Sequence, residues 1–270
     1  GGFMEVDARS LHGMMGATRQ ILNVPNSLVS SLCISLLPVI AGLYAAKKLD
    51  EAKNKANYAF RLCYTLAVPI SVAMCVFAEP MYTVLGLGDG YRLLTYMSFS
   101  VLLMAIVHLQ SSVMQSVNQL FTSMFFMAIG VATKLILNYF LIAIPSVNIY
   151  GAIIATYISY IIPLLLNHIF LIKKRNIKIK LLRLFIAPAL SSGVMITGAT
   201  LVYVLFDYLC DKVFENYLTS LISLLFAAAF GVVVYFVTLY KLHGINEDDI
   251  ALVIPKRIRD TFKHKNKRNA

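Results

Sequence analysis

Seven apolar stretches dominate the sequence, at 21–44, 60–78, 93–115, 120–144, 149–172, 184–206 and 217–240. Each is close to the ~20 residues that an α-helix needs to cross the hydrocarbon core of a bilayer. No soluble fold could bury seven such runs at once. Hydrophobic residues make up 59% of the 270 and charged residues 14%, against about 45–50% and about 25% in soluble domains. Lipid is the natural solvent for such a chain. The expected fold is all-α, a polytopic bundle of about seven transmembrane helices spanning 21–240. Residues 1–20 read as an extracellular loop or the approach to a helix, and 241–270 as a basic cytoplasmic tail.

The net charge of +11 would point to nucleic acid in a soluble protein. Here the cations sit in short hydrophilic segments beside apolar runs, which fits anionic headgroups, so membrane lipid and not nucleic acid is the expected partner. Lys47, Lys48, Lys53, Lys55 and Arg61 follow the first run. Lys173, Lys174, Arg175, Lys178, Lys180 and Arg183 follow the fifth, and Lys241, Lys256, Arg257, Arg259, Lys263, Lys265, Lys267 and Arg268 follow the last. The alternate side holds Arg9, Arg19, Arg92 and Lys212. The positive-inside rule then puts the C-terminus in the cytoplasm and the N-terminus outside. Links 116–119 and 145–148 are short enough to imply antiparallel hairpins. In the tail, Ile254, Ile258 and Phe262 recur at helical spacing among basic residues. That pattern reads either as an interfacial helix or as an unstructured juxtamembrane tail.

Polar residues inside the runs are the candidate functional groups. Lys134 lies near the middle of the fourth run, where a lysine costs about 2.5–3.5 kcal/mol. It must face protein or a water-filled cavity, either as a ligand-facing cation or as a brace between helices. Asn138 is one turn on and shares its face. The first run opens with Arg19, Asn23, Pro25 and Asn26 and carries Pro38 near its far end. Either proline allows a bend, and bent helices often line substrate paths. His108, Ser111, Ser112 and Gln115 put a polar stripe on the third run, facing a cavity or a neighbouring helix. Asn167 and His168 read as structural, and Glu79 as interfacial. Cys33, Cys63, Cys75 and Cys210 show no metal spacing and no C-x-x-C. No metal, cofactor or catalytic motif emerges, and all 13 acids fall in loops or at span ends.

Several segments in order resemble one family. They are Leu22-Asn23-Val24-Pro25-Asn26-Ser27-Leu28, Ser35-Leu36-Leu37-Pro38-Val39-Ile40, Ala59-Phe60-Arg61-Leu62 and Ala78-Glu79-Pro80. With them go Lys134-Leu135-Ile136-Leu137-Asn138-Tyr139 and Asn148-Ile149-Tyr150-Gly151-Ala152. Together they are similar to the stage V sporulation protein B and polysaccharide biosynthesis proteins, relatives of the MurJ-like lipid II flippases in the multidrug/oligosaccharidyl-lipid/polysaccharide exporter superfamily. The resemblance implies two helical lobes of about seven spans each around a central cavity, and alternating access between the membrane faces. It makes this chain a C-terminal lobe whose N-terminal partner lobe precedes Gly1. It also implies a bacterial plasma-membrane flippase for an undecaprenyl-pyrophosphate-linked saccharide in peptidoglycan, polysaccharide or spore-cortex synthesis. Arg19 resembles a cavity-facing arginine of that group. Arg19, Asn26, Gln115, Lys134 and Asn138 are then the expected substrate-binding residues, and Pro25 and Pro38 the helix-bending ones. A drug or cation antiporter of the same superfamily is the first alternative, but would favour acids within the spans. A non-transporting membrane scaffold is the second. A retinal receptor would need its lysine in the last run.

Overall fold

A computed structural model describes residues 5–144, 147–175, 177, 179–210, 216–242 and 244. Eight helices hold nearly all of them: α1 (Glu5–Ala45), α2 (Leu49–Val76), α3 (Ala78–Leu85), α4 (Tyr91–Ser116), α5 (Leu120–Ile142), α6 (Ile149–Arg175), α7 (Leu181–Cys210) and α8 (Asn216–Lys241). No strand occurs among the described residues. All but α3 are long and apolar enough to cross a membrane, so the expected all-α membrane bundle is present. The tail stretch at Ile254, Ile258 and Phe262 lies outside the described residues, as do Lys178 and Lys212.

Three boundaries differ from the sequence reading, each for a local reason. The chain is helical from Glu5 rather than from about residue 21, and α1 runs 41 residues without a break. Met15, Thr18 and Leu22 keep one buried face along this extension, and Thr18 Oγ1 lies 2.6 Å from Tyr82 Oη. Pro25 and Pro38 sit inside the continuous helix; each removes one ladder hydrogen bond without ending it. The second difference is that α2 begins at Leu49, so Lys53 and Lys55 lie on a helix and not in a loop. Asp50 and Glu51 occupy its first turn, where negative charge complements the helix dipole. Third, a short helix, α3, follows the break at Phe77. Pro80 is tolerated there because first-turn N–H groups have no partner inside the helix. Gly86 ends α3 at φ 63°, and Leu87 N–H donates to Tyr82 O across the turn at 3.1 Å, a C-cap that glycine adopts without a Cβ penalty.

The centre of the bundle is α4, which packs on α1, α2, α3, α5 and α6. Leu94, Val101, Val107, Leu109, Val113 and Met114 on this helix are fully buried. Cross-links set the relative heights of the helices. Ser30 meets His108 and Leu37 meets Ser116, at offsets of 78 and 79 residues, so α1 runs parallel to α4. Tyr157 reaches Tyr96 O and Tyr160 reaches Met104, at offsets of 61 and 56, so α6 is parallel to α4 as well. Between them α5 returns antiparallel and closes tightly on α6. A Cβ on Gly130 would stand 2.5 Å from Ser159 O, and one on Gly151 would stand 2.8 Å from the Leu141 backbone. Small residues permit this close approach in membrane helices. The α7–α8 pair docks through α7 on α2 and through α8 on α3, and Tyr235 Oη donates to Thr65 O at 2.9 Å.

Candidate functional site: a cationic cleft between α1 and α5

Helical spacing places Arg19, Asn23, Asn26 and Ser30 in one stripe along α1. Ser30 fixes which way the stripe faces, because its hydroxyl lies 3.2 Å from His108 Nδ1 on α4. The stripe therefore runs along the α4 side of α1. On α4, His108 and Ser116 touch α1 while Tyr96 and Met104 touch α6. The strip of α4 between these two contact lines is the floor of a cleft. One wall is α1. The other is α6 with α5 seated on it.

Lys134 enters from that second wall. It is half-buried and has no carboxylate partner among the described residues. Arg19 is exposed, and its charge acts on Lys134 and on Tyr160 across the cleft. The three side chains thus come from α1, α5 and α6 to one region. With the offset of 78, Asn26 is level with Met104, which accepts a hydrogen bond from Tyr160 Oη at 3.5 Å. The Gly130–Ser159 and Gly151–Leu141 approaches put Lys134 within about one turn of Tyr160, and Asn138 near the height of Arg19.

Two of the expected site residues carry an unsatisfied acceptor. Asn26 Oδ1 and Asn138 Oδ1 are buried without a hydrogen-bond partner, a state that costs about 1–3 kcal/mol per group. An N–H or O–H from a ligand or water entering the cleft would satisfy them. The same region therefore offers two cations, one phenol and two free carboxamide oxygens. Such a set has the donors and acceptors that complement anionic oxygens and hydroxyls.

Gln115 does not join this group. It shares the azimuth of His108 but lies eleven residues beyond Met104, about 16 Å along α4. Level with Leu37, it is exposed beside the α4–α5 turn. Of the polar stripe on α4, His108 binds α1 rather than an open cavity, and Ser116, outside the stripe, does the same. Tyr160 was missed by the sequence reading, since a tyrosine within an apolar run carries no mark of its own. Gln110 and Asn167 form a further surprise: both are fully buried, with both amide atoms unpartnered. No cluster of His, Cys, Asp or Glu among the described residues could hold a metal ion.

Comparison with known proteins agrees with this architecture. The chain is 24% identical over 232 residues to the lipid II flippase MurJ of Bacillus subtilis (strain 168), covering 83% of this chain and 42% of that protein. It is 25% identical over 257 residues to the uncharacterized membrane protein YabM of the same organism, covering 94% of this chain and 47% of that one. The chain thus spans less than half the length of these curated relatives. The MatE family model matches residues 8–140, which hold the first four long helices and both Arg19 and Lys134. The chain is accordingly a helical membrane bundle, residues 8–140 of which match the MatE family model.

Proposed function

We propose that the α1–α5 cleft is one wall of a transport cavity, and that the protein flips an undecaprenyl-pyrophosphate-linked saccharide from the inner to the outer leaflet. The observation that carries this reading is that exposed Arg19 on α1 and half-buried Lys134 on α5 lie close enough for their charges to interact, with no acid beside Lys134 among the described residues. The two cations repel each other and Lys134 is partly withdrawn from solvent, so an anionic guest gains on both counts. A pyrophosphate supplies several charged oxygens to such a pair, and charge-assisted hydrogen bonds are the strong ones. The saccharide hydroxyls would meet Asn26 Oδ1 and Asn138 Oδ1, while the polyprenyl tail stays in lipid. The MatE match and the similarity to a lipid II flippase support the same reading.

In this reading a second helical lobe supplies the opposite wall, and rocking of the lobes exposes the head group to alternate faces. The C-terminus in this reading faces the cytoplasm of a bacterial plasma membrane, an orientation that the positive-inside rule supports. Coupling to metal or cofactor is not part of the reading. The test is flipping of a fluorescent polyprenyl-pyrophosphate saccharide in proteoliposomes. Arg19→Ala and Lys134→Ala should each slow transport about tenfold to a hundredfold, the effect of losing a charged hydrogen bond of about 1.5–3 kcal/mol. Unchanged flipping in both variants at equal reconstitution would refute the site assignment, and no flipping by the wild type would favour a scaffold.

A further inference from the structure

We propose a second anion site, distinct from the cleft and independent of the transport reading, that holds the phosphate of an anionic phospholipid at the basic end of the bundle. A cavity of about 520 Å³ opens there between the start of α2 and the start of α7, within the size range of about 300–1,000 Å³ typical of ligand pockets. Lys53 and Arg61 come from α2, and Lys180 and Arg183 from the α6–α7 junction. These segments are more than a hundred residues apart, and the fold converges their charges on one space. No acid lines the cavity among the described residues. Asp50 pairs with Lys53 at 3.1 Å from outside and is 94% exposed, so it neutralises little of the cluster.

The arrangement is built rather than incidental. Asn57 clamps the two walls: its Oδ1 accepts from Lys180 N–H at 3.1 Å, and its Nδ2 donates to Lys53 O at 2.9 Å. The Arg61 guanidinium lies over the Tyr58 ring at 5.7 Å, which restricts where that charge can point. Mixed Arg and Lys donors suit phosphate, arginine by its planar fork and lysine as a mobile point charge. Leu184 and Ala187 add apolar lining. The cavity also sits at the right depth for a lipid. Just past Arg61 the helix turns apolar, with Cys63, Ala67 and Val68 buried in the core. Just past Arg183 α7 does the same. The four cations therefore ring the level at which headgroup gives way to acyl chain. A phosphate diester tethered to acyl chains fits that position, whereas a free anion gains nothing from the apolar part.

The experiment uses the whole chain, purified in a neutral detergent, with unfolding followed against added phosphatidylglycerol, phosphatidylcholine or inorganic phosphate. Phosphatidylglycerol should raise the unfolding temperature at concentrations where the other two do not. Lys180→Gln with Arg183→Gln should raise the half-saturating phosphatidylglycerol concentration about thirtyfold, about fivefold per removed cation near a membrane surface. Both side chains are solvent-accessible, and the Lys180 N–H bond to Asn57 survives the change. Lys173→Gln with Lys174→Gln is the control: it removes the same charge at the same end but lines no part of the cavity. Its half-saturation should move less than about threefold. Equal loss in both double variants would overturn the proposal in favour of diffuse surface attraction. A response to inorganic phosphate as strong as that to the lipid would replace the lipid with a soluble anion. Absence of any phosphatidylglycerol preference would remove the site.

Discussion

Replacing Lys134 by methionine should make the empty protein more stable and the working protein worse. The two side chains are similar in length, so packing on α6 survives. What goes is a cation that is half-buried, lacks an acid partner among the described residues and faces the charge of Arg19. A lysine fully committed to the middle of a bilayer costs about 2.5–3.5 kcal/mol. Half-burial reduces the recoverable part to about 1–2 kcal/mol. For a chain of this size that corresponds to a rise of about 2–8 °C in unfolding temperature. The chain has no tryptophan, but Cys33 and Cys63 are free and buried, so a thiol-reactive dye reports unfolding directly. Addition of a polyprenyl pyrophosphate should then stabilise the wild type and fail to stabilise Lys134→Met. A brace role makes the opposite forecast, since a lysine that ties helices together by hydrogen bonds cannot be removed for free. An unfolding temperature lowered by Lys134→Met, with the response to pyrophosphate intact, would refute the reasoning.

Two further outcomes concern the frame that holds the cleft. Gly130→Ala drives a Cβ to 2.5 Å from Ser159 O and should cost about 1–3 kcal/mol, as overpacking does, whereas Gly13→Ala has open space and should gain about 0.5–1 kcal/mol from helix propensity; the thiol-dye assay compares them side by side. A double-mutant cycle of Ser30→Ala and His108→Ala should show a coupling of about 0.5–1.5 kcal/mol, and additivity would mean that their 3.2 Å contact does not join α1 to α4.

The long helices were legible because membrane crossing is mainly a question of apolar length, and the runs ending at Tyr240 or Gln115 show it without help from tertiary contacts. The start of α1 was not. Glu5, Asp7, Arg9 and His12 look like loop residues to a hydropathy reading, yet none of them stops a helix. Helix α3 was hidden for a related reason. Glu79 and Pro80 mark a break after α2, and the same two residues suit the first turn of the next helix. Lys134 announced itself through its cost. Gln115 was misplaced because spacing along a helix fixes azimuth and says nothing of height. It shares a side with His108 but stands about 16 Å beyond Met104, the residue bonded to Tyr160. Tyr160 and the convergence of Arg61 with Arg183 arise from contacts between distant segments, which no local pattern encodes.

The length of α1 has a mechanical consequence. Its 41 residues make a rod of about 60 Å, twice the ~30 Å thickness of the hydrocarbon core. Even at the ~40° upper limit of observed tilt, about 45 Å of height remains, so part of the rod stands in the headgroups or beyond. Such a rod is a lever. A rocking of 10° about one end sweeps the other through about 10 Å, while residues near the pivot hardly move. Pro25 and Pro38, each with a missing ladder bond, are the points at which a long helix most readily bends. Arg19 rides on the segment before Pro25. Arg19 stands eleven residues, about 16 Å, from the Ser30 level, so a 10° turn about that level would carry its charge about 3 Å while the contact between Ser30 and His108 stays closed.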